Sequence, residues 1–132
     1  MNTIKSIKEV NDFKLEGHTY LYGGFFIETN NETIKIGIVN SQSCCEEWGY
    51  LSSDDDFEKF VGANIRKIEI TDKSLIKKEL FPYAYNSQYQ SMFIDIVTSR
   101  GTIQFACYNY HNGYYGHDAV LISNELKHTE CL

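Results

Sequence analysis

The chain reads as an α+β domain: a mostly antiparallel, twisted sheet of seven or eight strands with one main helix, over residues 53–61, packed on one face. Three observations predict this class. Period-two alternation of apolar and polar residues recurs along the chain, as in Thr33–Val39 and Asn64–Thr71. Only one stretch combines an N-cap, an acidic first turn and helically spaced apolar residues. The intervening turns are short, which favours hairpins over crossover connections. At 132 residues this is a single domain, long enough to bury a core without metal or disulfides.

From the N-terminus, residues 3–10 alternate weakly and are read as a strand. Residues 25–29 (FFIET) form the next, and Asn30-Asn31 turns it back into Thr33–Val39, where Ile34, Ile36 and Ile38 share one face. Residues 43–51 hold a short strand or turn, with Trp48 covering the core edge. The helix follows. Ser53 is its N-cap, Asp54, Asp55 and Asp56 load the positive end of its dipole, Phe57, Phe60 and Val61 form its apolar stripe, and Gly62 ends it. Asn64–Thr71 is a strand. One or two helical turns are expected over residues 72–81, stopped by Pro82, then a tyrosine-rich loop over 83–90 and a strand over 92–97.

Residues 102–122 carry the strongest hairpin signal, since Asn112-Gly113 suits a type I′ turn between two apolar runs. Ile103, Phe105 and Cys107 share a face on the way in. Ala119 and Leu121 oppose Val120 and Ile122 on the way out, so the second strand lies inside the sheet. The tail from 123 to 132 is expected to fray. The tip itself is rich in Tyr, Asn and His: Tyr108, Asn109, Tyr110, His111, Asn112, Tyr114, Tyr115 and His117. Tyrosine and asparagine supply large contact area and adaptable hydrogen bonds at low entropic cost. These residues, with Asp54, Asp55 and Asp56, are the candidate binding surface.

Charge narrows the partner. A net charge of −6 opposes a nucleic-acid footprint and suits a protein partner with a basic surface. No long apolar run spans a membrane and residues 1–12 do not form a signal peptide, so a bacterial cytoplasm with reduced thiols is expected. Unpaired sheet edges and the many tyrosines also suit a homodimer. Cys44, Cys45, His111 and His117 are zinc-ligand types, but adjacent cysteines on a strand point to opposite faces, and no ligand spacing is present, so neither metal nor cofactor is expected. A Cys/His enzyme would need Cys107 or Cys45 beside His111 or His117, with Asp118 orienting the ring. Cys107 shares its face with Ile103 and Phe105, which argues for a buried, inert thiol.

The series Cys44-Cys45-Glu46, a short strand, an acidic capped helix ending at Gly62, another strand, and Asn112-Gly113-Tyr114-Tyr115 resembles a family of small, functionally uncharacterised phage and prophage proteins. The likeness spans roughly residues 25–121; Trp48, Tyr50, residues 74–90 and the tip histidines depart from it. The resemblance implies an accessory product of a phage or mobile element in a low-GC bacterium, and no reaction. By analogy with that setting, the expectation is a non-enzymatic inhibitor of a host defence system, anti-CRISPR-like, acting by protein contact. The alternative is a sponge for a small nucleotide signal, and a small Cys/His enzyme comes third.

Overall fold

The computed structural model describes residues 2–41, 47–76, 89–110 and 116–132. It is nearly all-β. Among the described residues there are nine strands: β1 (Asn2–Lys14), β2 (Leu21–Thr29), β3 (Thr33–Val39), β4 (Glu47–Ser52), β5 (Asn64–Thr71), β6 (Tyr89–Thr98), β7 (Gly101–Tyr110), β8 (Asp118–Ile122) and β9 (Lys127–Cys131). All pairings are antiparallel, in one sheet of order β4-β7-β6-β5-β1-β2-β3-β8-β9.

The sheet is narrow at its middle. β1 meets β5 through only Asn2↔Ile65 and Thr3↔Asn64, so the sheet divides there into two halves. Alternation then decides how the halves sit. Ile27, Ile34, Ile36, Ile38 and Leu121 from one half, and Met92, Ile94, Ile96, Ile103, Phe105 and Cys107 from the other, belong to one buried cluster. The Phe25 and Phe105 rings meet across the halves at 4.7 Å. The inner faces therefore pack on each other, as in a sandwich made from one folded sheet.

Part of each outer face is covered by local chain. Phe13, beyond a register shift in β1, packs with Leu15, Tyr22, Val39 and Val120. It covers a cross-strand glycine pair, Gly24↔Gly37. A Cβ on Gly37 would lie 2.6 Å from Phe13 Cζ, and one on Gly24 would lie 1.9 Å from the Ile36 carbonyl oxygen. Glycine is required there because ring and backbone occupy the space of a side chain. On the other half, Gln104 is buried although it lies opposite the core. Its Oε1 accepts from Leu75 N, and its Nε2 donates to Lys73 O and Asp95 Oδ1, each at 2.8 Å. That clamp holds residues 73–76 down, with Ile76 against Phe93 and Ala106.

The structure corrects the α+β expectation. In place of a helix over 53–61 there is one 3-10 turn, Phe57–Phe60. Ser53 cannot cap it, because Ser53 extends β4: its N donates to Gln104 O, and its Oγ accepts from Gln104 N, both at 2.8 Å. Asp54 is taken by Lys59 and by the Asp56 N–H at 3.0 Å, an Asx-type turn that competes with helix. Val61 is extended, and Gly62 turns the chain at φ +91°. The spacing of Phe57 and Phe60 is satisfied by a single turn that delivers both rings to the core.

Two further expectations change. β7 and β8 do not form a hairpin: β7 lies between β6 and β4, and β8 between β3 and β9. β7 and β8 thus belong to different halves of the sheet, and Asn112-Gly113 lies outside the described residues. The tail is a strand, β9, and Leu132 is buried in the core. Residues 72–76 are not helical; the rest of the helical expectation, over 77–81, falls outside the described residues. The strands expected around 3–10, 25–29, 33–39, 64–71 and 92–97 are present, and β8 is interior as expected.

Gly24→Ala is predicted to destabilise by more than about 3 kcal/mol or to prevent folding, since backbone must move. Gly17→Ala, at φ +80° with open space around it, is predicted to cost about 1 kcal/mol. Urea denaturation of the two variants measures the contrast.

Candidate functional site

Strand alternation gives β7 two faces with different uses. Phe105, Cys107 and Asn109 point inward, while Ala106, Tyr108 and Tyr110 point outward. The outward tyrosines meet side chains from both neighbouring strands. Tyr89 of β6 and Glu47 of β4 are the cross-strand neighbours of Tyr110. The Tyr89 ring lies 4.9 Å from that of Tyr110 and 6.3 Å from that of Tyr108. Tyr89 Oη donates to Glu47 Oε2 at 2.8 Å. Tyr108 spreads over Gly49, where a Cβ would lie 2.5 Å from its Oη. The result is a half-exposed aromatic face with a carboxylate fixed at its edge.

Beside this face opens a cleft of about 590 Å³, lined by Ile70, Thr71, Asp72, Tyr89, Phe93 and Glu130 among others. It lies where β6 runs on past the end of β5, and β9 supplies Glu130. Its described lining includes half-exposed Tyr89, buried Phe93 and the acidic residues Asp72 and Glu130, and no Lys or Arg.

The inward residues at this end form a clasp between the halves. Asn109 is 0% exposed and donates from Nδ2 to Leu132 O at 3.1 Å. His117 is 3% exposed and exchanges backbone hydrogen bonds with Leu132 at 2.9 and 2.8 Å. Its Nδ1 lies 2.6 Å from Val39 O; since a carbonyl only accepts, Nδ1 carries the proton. Its ring stacks on Trp48 at 5.4 Å and 27°. One position along the inner face, Tyr50 reaches across to β1, donating to Asn11 Oδ1 at 3.0 Å.

Of the residues expected to bind, Tyr108 and Tyr110 lie on the outer face. Asn109 and His117 do not: both are buried in the clasp, which removes them from any contact surface. Asp54, Asp55 and Asp56 lie in the turn after β4, next to Gln104, which pairs with Asp95 and not with the tip end of β7. Asp54 is held by Lys59, whose hydrogen bond keeps its carboxyl below the usual range; Asp55 and Asp56 are exposed. His111, Asn112, Tyr114 and Tyr115 lie outside the described residues, as do Cys44, Cys45 and Glu46. Sequence reasoning missed Glu47, Asp72 and Glu130. Only the placement of β4, β5 and β9 in the fold brings them to the tyrosines, and no local pattern encodes a register between distant strands.

Among the described residues no group of three or more His, Cys, Asp or Glu side chains is arranged to hold a metal ion, and no helix is long and apolar enough to cross a membrane. Burial pushes the Cys107 thiol up to about 12, so at neutral pH it is not a nucleophile.

The fold and this site define a nearly all-β protein built from a single folded sheet, with an aromatic, acidic outer surface at one end. The chain belongs to the family described as "Domain of unknown function (DUF7448)", which it matches over residues 3–121. Neither a curated protein nor a solved structure matches it. Of the descriptors expected from the sequence, the antiparallel sheet and the uncharacterised family stand. Phage origin and anti-CRISPR or other anti-defence activity find no support in a family whose description states no function, and they are withdrawn.

Alkylation of the native protein at about pH 8 is predicted to modify exposed Cys131 and spare Cys107, read by peptide mass mapping; equal modification contradicts the burial. The sign of the pH dependence follows. The thiol's folded pKa is raised above its ordinary 9.0, so its contribution to stability is intact below 9.0 and is lost as pH rises toward about 12. Tyr22 and Tyr50, raised first by burial and then by nearby acids, act in the same direction. Urea midpoints are predicted to fall as pH rises above 9.0, and less steeply in Cys107→Ala measured against its own value at neutral pH.

Proposed function

We propose that this protein is a non-enzymatic binding protein that engages a protein partner with a basic surface through the outer face of β4, β7 and β6. The observation that carries the reading is the Tyr89–Tyr108–Tyr110 cluster, with Glu47 held at its rim. Three half-exposed tyrosines supported by a rigid sheet give a preorganised aromatic anchor, and aromatic anchors dominate interface energetics. The main core lies on the opposite face, and of the three only Tyr108 packs against the small outer cluster of Ile76, Phe93 and Ala106. A net charge of −6 would steer a basic partner toward it. The thiol state of Cys107 and Cys131 suits a reducing cytoplasm.

The alternative, sequestration of a small nucleotide signal, draws on the aromatic wall of the cleft. It is the weaker reading, because the described lining supplies no cation for a phosphate. Arg100 stands at the far end of β7, bonded to Lys59 O and Val61 O.

The test is capture of partners on the immobilised protein from cells in which the chain is native. Wild type is predicted to retain a partner that is released when salt rises from about 0.1 M to about 0.5 M. Tyr110→Ala is predicted to weaken retention about tenfold or more. Binding indifferent both to salt and to Tyr110→Ala overturns the reading.

A further inference from the structure

We propose that the cleft between the ends of β5, β6 and β9 receives an arginine side chain of the partner; this rests on the binding role assigned to the adjoining tyrosine face. The walls and the charge agree on the occupant. Tyr89 supplies the half-exposed aromatic surface, and buried Phe93, packed against Ile76 and Ala106, is the firm floor beneath it. Tyr89 cannot swing away without breaking its contacts with Tyr108, Tyr110 and Glu47. Asp72 and Glu130 bring two carboxylates to the same opening, with no described Lys or Arg to neutralise them there. Thr71 adds a hydroxyl. Guanidinium stacks on aromatic rings and donates two parallel N–H bonds to a carboxylate, which a compact ammonium does less well.

The volume of about 590 Å³ exceeds what one side chain fills, so the head group enters with solvent and flanking backbone. The two carboxylates differ in their freedom. Glu130 Oε2 lies 3.0 Å from His128 Nε2, whereas Asp72 sits in the exposed turn after β5. Asp72 is therefore the stronger contact, and its replacement leaves the core untouched. A nucleotide, by contrast, would bring phosphate charge to two carboxylates.

The experiment is an amide NMR titration of the full chain with acetyl-Gly-Arg-Gly-amide, with the lysine peptide, and with the citrulline peptide, which keeps the shape of arginine but not its charge. The arginine peptide is expected to shift the signals of Thr71, Asp72, Tyr89 and Glu130 with a millimolar dissociation constant. Lysine is expected to bind more weakly and citrulline about fivefold or more weakly. Asp72→Asn is expected to weaken the arginine peptide, and Glu130→Gln to do so less. No shift at about 10 mM peptide, equal binding of citrulline, or an unchanged constant in both variants overturns the proposal. A partner that is lost with Tyr110→Ala yet indifferent to Asp72→Asn and Glu130→Gln would also overturn it, while leaving the tyrosine face in place.

Discussion

Burial of one continuous apolar face against itself is the interaction on which the rest of this structure depends. The backbone ladder cannot hold the two halves together, because β1 and β5 share only two residue pairs. What closes the sheet is the inner row of Ile27, Ile34, Ile36 and Ile38 against Ile94, Ile96, Ile103 and Phe105, all fully buried. Each such side chain contributes about 1.5–3 kcal/mol relative to exposure, far more than any clasp at the rim. The clasps set geometry instead. Tyr50 on Asn11, Trp48 on His117, and Asn109 on Leu132 fix how the open ends meet.

That closure decides which side chains are left to act. With the inner face of β7 committed to Phe105, Cys107 and Asn109, the outer face is the only place where its aromatic residues can meet solvent. β4 and β6 flank it and complete the surface with Glu47 and Tyr89. β9 reaches the same end from the other half and contributes Glu130. The surface is thus a product of both halves, and it exists only while they remain closed.

Much of the strand pattern could be read from the chain, and the reasons are local. Thr33–Val39 and Asn64–Thr71 have the bounds expected of them, because isoleucine recurs at alternate positions over Ile34, Ile36 and Ile38 and again at Ile68 and Ile70, the one interruption, at Arg66, being absorbed by a register shift. The helix failed for a tertiary reason: Ser53 had a better partner in Gln104 than in its own next turn. The expected hairpin failed because a turn signal says nothing about which strand lies beside which. Asn109 and His117 were assigned to a surface by residue type, yet period two already separated Asn109 from Tyr108 and Tyr110. His117 gave no such cue; its burial comes from pairing with Leu132, in a tail that looked too short and polar to be held. Glu47 and Asp72 become site residues only through registers that no short window reveals.

The central claim is that the outer face of β4, β7 and β6 is where this protein meets its partner. Hydrogen exchange of the chain alone and in complex with a captured partner tests it most directly. Added protection concentrated in Glu47–Ser52, Tyr89–Thr98 and the Tyr110 end of β7 is the predicted result. Protection confined to β2, β3 and β8, with the tyrosine strands unchanged, would contradict it.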